Sequence, residues 1–496
     1  MTASPEHAKP ERASQDHYDV LVVGAGISGI DAGCHLRTSC PDRSFAILES
    51  RAAIGGTWDL FRYPGIRSDS DMYTFGFGFK PWTQGKAIAD GDSILAYLQE
   101  TVDEYGLDQN IRFHHRVVRA DWSNEKRRWS VTAQCRGEDV VLTCGFLFMC
   151  AGYYSYENGY TPEIPGRERF QGEIVHPQHW PEDLDYKDKN VVVIGSGATA
   201  VTLVPAMAGD AAHVTMLQRS PTYVVSRPDK DWIADALRKV LPEKTAFRWA
   251  RWKNATYSEL MYELAQYRPE KFKARLIQMI RDELGPDYDV ERHFTPTYNP
   301  WDQRLCLVPN SDLFQAIKSG KASVATDRIR SITENGLELE SGDTLAADLL
   351  ITATGLQLVV LGGTEVLIDG KPVDFSETWS YKGFAFSGVP NMVSLFGYVN
   401  ASWTLRADLI CEYVCRLLNH LRATGTDTCV PCLRPEDQDM VAQPWVGTFS
   451  PGYIERSRSL LPMQGDREPW VNRQSYRYEK KLLRKSRVDD GVMIFS

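Results

Sequence analysis

The chain has 496 residues, 43% hydrophobic and 24% charged, with a formal net charge of −9. That length exceeds one ordinary core and predicts a soluble globular protein of two or three domains. The acidic balance excludes a nucleic-acid surface, and no apolar run reaches membrane-spanning length, since the stretch near Ile351 is broken by Thr, Gln and Gly. Residues 1–17 are polar with no apolar leader segment and read as a floppy tail, not a secretory signal. Ten cysteines are scattered without a disulfide framework, which fits a reducing cytoplasm. Cys429 and Cys432 form one CxxC, but no second ligand pair accompanies it; it reads as a surface loop, and no metal is expected.

Tyr18 to Val23, YDVLVV, reads as a strand buried on both faces of a parallel sheet. It runs into Gly24-Ala25-Gly26-Ile27-Ser28-Gly29, which opens a helical pattern through Leu36 and is followed by a second strand ending at Glu49. In that setting Gly24 permits the tight turn, Gly26 lets the backbone approach a pyrophosphate, and Gly29 allows close helix packing. The anion is expected on the helix N-terminus, where free amides and the dipole favour it. Glu49 is placed to accept from a ribose 2′-OH and would repel a 2′-phosphate, so this site suits FAD or NAD and not NADP. Gly55, Gly56, Thr57 and Trp58 follow, then Tyr63-Pro64-Gly65 and Asp69. Their glycines suit a loop pressed against a planar ring system with Trp58 as a wall; a tight turn around a buried Trp explains them equally well. A helix, SILAYLQETVDEYG, and three strands then lead to Gly152.

Phe170 to Pro181, FQGEIVHPQHWP, neither continues a helix nor alternates like a strand. It reads as a connector whose rings pack two nucleotide-binding units together, or sense whether both are occupied. Asn190 to Ile194 is the next apolar strand, leading to Gly195-Ser196-Gly197-Ala198-Thr199-Ala200, a GxGxxA loop. Its second strand, HVTMLQRS, ends in Gln218 and Arg219 in place of an acid. A guanidinium clamps a 2′-phosphate bidentately, which points to NADP, with Ser220 and Thr222 as further hydroxyl donors. Residues 229–297 lack glycine until Gly285 and repeat Leu, Ala, Arg, Lys and Trp at helical spacing. They read as a helical insertion whose aromatics (Trp249, Trp252, Tyr257, Tyr262, Tyr267) form a core, with a substrate tunnel as the functional alternative. Asn400 to Leu405 is expected to open a helix whose N-terminus faces the first nucleotide site.

Phe170, Gly172, His176 and Trp180 spell FxGxxxHxxxW, and Gly55 to Asp69 spells GGxWxxxxYPGxxxD. On these motifs the chain resembles the type I Baeyer–Villiger monooxygenases over nearly its whole length, closest to the mycobacterial ethionamide-activating type. Related nitrogen- and sulfur-oxidising flavin monooxygenases usually end the first motif in Tyr or Phe. Ala353-Thr354-Gly355 resembles the family's element at the return crossing between domains. The resemblance implies an α/β fold of two interleaved Rossmann-like domains. The FAD domain would span 18–155 and 350–496, and the NADP domain 156–349, including the insertion 229–297.

It also implies an FAD-dependent, NADPH-consuming enzyme that inserts one atom of O2 into a ketone to give an ester or lactone. The sulfur of thioethers or thioamides is a further target class, and an N- or S-oxidising flavin monooxygenase is the alternative. A flavin disulfide reductase would want a dithiol beside the flavin, and a non-catalytic sensor would not need the site residues. Arg304 matches the family's Arg over the flavin and Asp69 the carboxylate that holds it, while Gln303 stands where the family has Lys. Cofactor contacts are implied for Gly24, Gly26, Gly29, Glu49, Gly56, Thr57, Trp58 and Asp69 at FAD. At NADP they are implied for Gly195, Gly197, Thr199, Ala200, Arg219 and Ser220.

Overall fold

The computed structural model describes residues 16–303, 305–447 and 452–496. Most of the expected tail and Arg304 lie outside them. His17, the last residue of the expected tail, instead pairs with Thr143 in the first strand, β1 (His17–Val23). Helix α1 (Ile27–Ser39) follows, then β2 (Phe45–Leu48), α2 (Gly91–Tyr105), β3 (Ile111–Arg112), β4 (His115–Ser123), β5 (Arg128–Cys135) and β6 (Glu138–Met149). The backbone of β1 runs parallel to both β2 and β6, and Val20, Leu21 and Val22 are fully buried. That is the double-sided burial a continuous apolar strand requires.

The chain then leaves this sheet through β7 (Tyr154–Gly159) and builds a second one. Its strands are β8 (Glu173–Val175), β9 (Asn190–Ile194), β10 (His213–Gln218), β11 (Ala322–Thr326) and β12 (Leu349–Thr352). They lie in the spatial order β11-β10-β9-β12-β8, all parallel. Helix α3 (Ala198–Met207) follows β9, and the insertion folds as α4 (Trp232–Val240), α5 (Glu243–Tyr267), α6 (Pro269–Leu284) and α7 (Val290–Phe294). The chain returns through β13 (Leu356–Leu358), which pairs antiparallel with β7.

Back in the first sheet, β14 (Glu365–Ile368) and β15 (Lys371–Pro372) extend its β4 edge, and β16 (Met392–Ser394) pairs with β6. The order is β15-β14-β4-β5-β6-β1-β2-β3, nine strands with β16. Helix α8 (Trp403–Thr424) packs on α1 and buries Ala407, Leu409 and Tyr413 in the first core. The two units are not packed separately. Phe61 and Tyr63, from the YPG stretch, belong to the core of the second unit with Val201 and Val204 of α3. No helix of the described residues is long and apolar enough to cross a membrane.

Candidate active site

Both glycine loops sit at the carboxyl ends of parallel strands and open into one cavity of about 1470 Å³, larger than a single small-ligand pocket. The loops share a division of labour. A Cβ on Gly24 would lie 2.7 Å from the Cys150 carbonyl oxygen, and one on Gly195 2.3 Å from that of Ala353. The first glycine of each loop is therefore closed off by backbone, at the strand end where the chain crosses units. The second is open. A Cβ on Gly26 would meet only the Gly56 backbone, 3.6 Å away, and one on Gly197 nothing within 4 Å. Those two glycines also cap α1 and α3, and no side chain caps either helix, so their leading N–H groups stay available to an anion.

Around the first loop, the buried Glu49 carboxylate accepts from the Ala25 N–H at 2.7 Å and the Arg51 N–H at 2.8 Å. These bonds fix its orientation while it still lines the cavity. Gly56, Thr57, Trp58 and Asp69 line it as well. Trp58 is braced edge-to-face by Phe75, with ring centroids 5.6 Å apart. Arg67, two residues before Asp69, bonds Asp312 of the second unit at 2.5 Å. Trp403 opens α8 and donates through Nε1 to Ser28 Oγ at 2.7 Å; it stacks on Tyr153 at 5.3 Å, and both rings face the cavity.

Around the second loop, Gly195, Gly197, Thr199, Arg219 and Ser220 line the cavity. Gln218 is not free to read a ligand: it is buried and donates to the His293 carbonyl (2.7 Å) and Thr326 Oγ1 (2.9 Å). Arg219 beside it is exposed. Thr222 is spent on Ser196, hydroxyl to hydroxyl at 2.7 Å. Gln303 reaches the cavity, while Arg304 lies outside the described residues. Gly29 and Ala200 do not line the cavity. Each stands behind its loop in close packing, a Cβ on Gly29 landing 1.8 Å from the Gly24 oxygen.

The connector has more structure than its sequence discloses. Glu173–Val175 forms β8, added to the β12 edge of the second sheet, and Pro177–His179 is a short 3₁₀ turn capped by His176. The His176 ring occupies the space beside Gly159, where any Cβ would fall within 2.0 Å of the imidazole. Its Nε2 donates to the Gly355 carbonyl at 3.2 Å, and its Nδ1 accepts from the Gln178 N–H at 3.2 Å. Gly159 ends the outgoing crossing and Gly355 starts the return, so this one ring touches both. Gln178 and His179 donate to the Ser155 and Glu157 carbonyls, at 2.5 and 2.9 Å. Burial lowers the His176 pKa below 6.5 against the opposing pull of the Gly355 bond. Phe170, Gly172, His176 and Trp180 are all absent from the cavity wall.

Residues 22–89 match an NAD(P)-binding Rossmann-like domain and residues 86–241 a flavin-binding monooxygenase-like family. Over 482 residues the chain is 54% identical to the FAD-containing monooxygenase EthA of Mycobacterium tuberculosis, covering 97% of this chain and 98% of that protein. The chain belongs to this family of flavin-binding monooxygenases. It is also 47% identical over 483 residues to the probable FAD-binding monooxygenase AlmA of Acinetobacter baylyi, covering 97% and 96% of the two chains. The fold matches an oxidised steroid monooxygenase bound to NADP, with TM-score 0.78 and 23% identity over 97% of this chain and 99% of that one. An open cyclohexanone monooxygenase gives 0.76 at 19% identity, over 97% and 100%.

Three features of this flavin-binding monooxygenase depart from what the sequence led us to expect. Cys429 is not in a surface loop: it is buried in a strand, Cys429–Pro431, paired with Met493–Phe495, and neither it nor Cys432 lines the cavity. Trp249, Trp252, Tyr257 and Tyr267 are neither core nor tunnel, being 48–77% exposed and away from the cavity. Only Tyr262 is tucked in, edge-on to Trp301 at 5.9 Å. Finally, Arg328 lines the cavity rim with Arg219 and went unnoticed in the sequence. Its signal was there: β11 ends one residue before Asp327, at the carboxyl edge where such sheets bind ligands.

Proposed function

We propose that this flavin-binding monooxygenase holds FAD at the Gly24 loop and NADPH at the Gly195 loop. We propose further that it inserts one atom of O2 into ketones, with the sulfur of thioethers or thioamides as a second target. The reading is carried by the single cavity shared by both glycine loops, the GGTW stretch and Asp69. Bound FAD supplies the redox chemistry, accepting reducing equivalents from NADPH and activating O2. The residues of the chain bind, orient and shield.

The uncapped N-termini of α1 and α3 hold pyrophosphates. Glu49, its orientation fixed by two backbone amides, accepts from the adenosine ribose hydroxyls of FAD. Arg219, with Ser220, grips the 2′-phosphate of NADPH, and Arg328 from the neighbouring strand end takes the place of the family Lys that Gln303 lacks. Trp58 and the stacked Tyr153–Trp403 pair wall the flavin end and exclude water. The resemblance assigns Arg304 to the charge that develops during oxygen transfer, with Asp69 orienting its guanidinium. His176 fixes the spacing of the two units from outside the cavity.

The test is product analysis by mass spectrometry after incubating the purified protein with NADPH, O2 and a panel of ketones, thioethers and tertiary amines. Esters or lactones from ketones support the reading. Oxides of nitrogen or sulfur alone, with no ketone converted, would transfer the chain to the N- or S-oxidising branch.

A further inference from the structure

The helical insertion turns an apolar face to solvent. Of the thirteen large hydrophobic side chains exposed among the described residues, eight lie on α4 and α5. Trp232 and Tyr267 are 76% and 77% exposed, and Trp249 and Trp252 53% and 57%. In α5 the buried Phe247, Ala250, Arg251 and Ala255 mark the inward side. Trp249, Trp252, Leu260 and Tyr267 recur at helical spacing on the opposite side, where a surface helix normally carries polar groups. Trp249 and Trp252 brace each other edge-to-face, with centroids 5.6 Å apart. Large apolar side chains gathered on one exposed helix face in this way mark an interaction surface.

Charge decides what it meets. Between residues 230 and 275, seven Lys and Arg side chains are exposed, Lys239, Lys244 and Arg248 among them, against three exposed acids, Glu243, Glu263 and Glu270. The chain as a whole carries −9, so an excess of exposed cations on the segment that bears the aromatic face is set apart from the rest of the molecule, although Glu263 shares that face. Pairing with a second copy through this face would bring two segments with an excess of exposed cations together across a two-fold axis. An anionic lipid surface complements both features. Tryptophan and tyrosine favour the headgroup layer, and Lys and Arg near it are drawn to anionic headgroups.

We propose that α4 and α5 seat the enzyme on an anionic membrane surface, peripherally. Helix α5 lies in the plane of the interface, Trp249, Trp252 and Tyr267 enter the headgroup layer, and the basic side chains meet lipid phosphates. The seat is separate from the cofactor cavity, since none of these residues lines it.

The test uses the full-length holoprotein in flotation with vesicles of equimolar phosphatidylcholine and phosphatidylglycerol, and with pure phosphatidylcholine. The protein is expected to float with the anionic vesicles, to stay behind with the neutral ones, and to be released by salt. The double variant Trp249→Ser/Trp252→Ser should lose flotation. Lys244→Glu/Arg248→Glu should bind roughly fivefold more weakly, or worse, for each cation removed. Both variants should keep their flavin content and NADPH oxidation, which excludes misfolding. Failure of the wild type to float with anionic vesicles overturns the proposal, as does flotation unchanged in both variants. So does a concentration-dependent dimer in sedimentation velocity that the Trp substitutions abolish without any vesicle binding; that result assigns the face to a second copy.

Discussion

Arg219 and Arg328 both line the cavity at the carboxyl edge of the second sheet: Gln218 is in register with Thr326, Arg219 follows the first strand end by one residue and Arg328 the second by two. Two guanidiniums at one rim suit a dianionic phosphate better than either alone, and a charge-assisted bond of this kind contributes about 1.5–3 kcal/mol. Arg219→Ala should therefore raise KM for NADPH by about ten- to a hundredfold and leave KM for NADH nearly unchanged, with Arg328→Ala showing a smaller shift in the same sense. Steady-state kinetics with both nucleotides checks this, and equal losses for the two would remove the 2′-phosphate role. A different residue-scale effect is hidden behind α1. Asp31 is fully buried, and its carboxylate, the His35 imidazole and Asp408 lie within 4.8 Å of one another. Arg251 already supplies the positive charge there, bonding Asp408 at 2.5 Å and the Tyr73, Thr74 and Gly76 carbonyls. Burial, then the Asp408 charge, pushes the Asp31 pKa well above 3.8. Burial alone would raise Asp408 too, but Arg251 and His35 hold it low. Asp31 thus keeps a proton that its unfolded form gives up, so stability falls as pH rises from 3.8 towards the raised value. Asp31→Asn mimics the protonated form and should gain on the order of 1 kcal/mol at neutral pH, a gain that vanishes in acid. Denaturant melts at several pH values measure it; a variant less stable than wild type at neutral pH refutes the proton retained on Asp31.

At the scale of elements, the two crossings form one short antiparallel ribbon, β7 against β13, and the connector is pinned across it by backbone-directed bonds from His176, Gln178 and His179. A neutral His176 protonated at Nε2 satisfies both of its bonds at once, and burial favours that neutral form. With its folded pKa below 6.5, its contribution is constant above 6.5 and is lost as pH falls through the window beneath it. His176→Ala should lower turnover while leaving the ranking of ketone substrates unchanged, because the ring touches the crossings and not the cavity. Relative kcat/KM across a ketone panel decides this, and selective loss of one substrate class would contradict it. The strands flanking the glycine loops were legible in the sequence because their burial and turn chemistry are local. Glu173–Val175 was not, since three residues carry no pattern and the strand exists only because the β12 edge is there to pair with. The aromatics of α5 misled for the same reason: helical spacing fixes a face, but not whether that face looks inward.

Across the whole molecule, chemistry depends on two units built from interrupted pieces of chain and held in one geometry. Phe61 and Tyr63 bury themselves in the second core, and Arg67 reaches Asp312, so the stretch ending at Asp69 is clamped to both units. That clamp was illegible in the sequence, where residues 67 and 312 stand far apart, although both glycine loops and the cavity-lining Asp69 could be named from motif alone. Such a construction separates two demands. On the proposed reading, reduction by NADPH needs the two nucleotides positioned against each other, a task that falls to the loops, the connector and the clamp. Oxygen transfer needs, in addition, a fixed positive charge where negative charge develops, and a preorganised donor in that role contributes about 3–4 kcal/mol. If Arg304 serves the second demand alone, Arg304→Ala should retain FAD and still bleach on addition of NADPH. Its ester yield should fall by about a hundredfold or more, with NADPH and O2 consumed to release hydrogen peroxide instead. Asp69→Ala should uncouple more mildly, since the cation remains but loses its orientation. Arg304→Lys should not restore coupling, because an ammonium lacks the planar fork that addresses two partners together. Stopped-flow reduction run beside product and peroxide assays separates the two steps. Ester formation by Arg304→Ala at near wild-type yield would remove the assignment and send the search for the stabilising charge to the helical insertion.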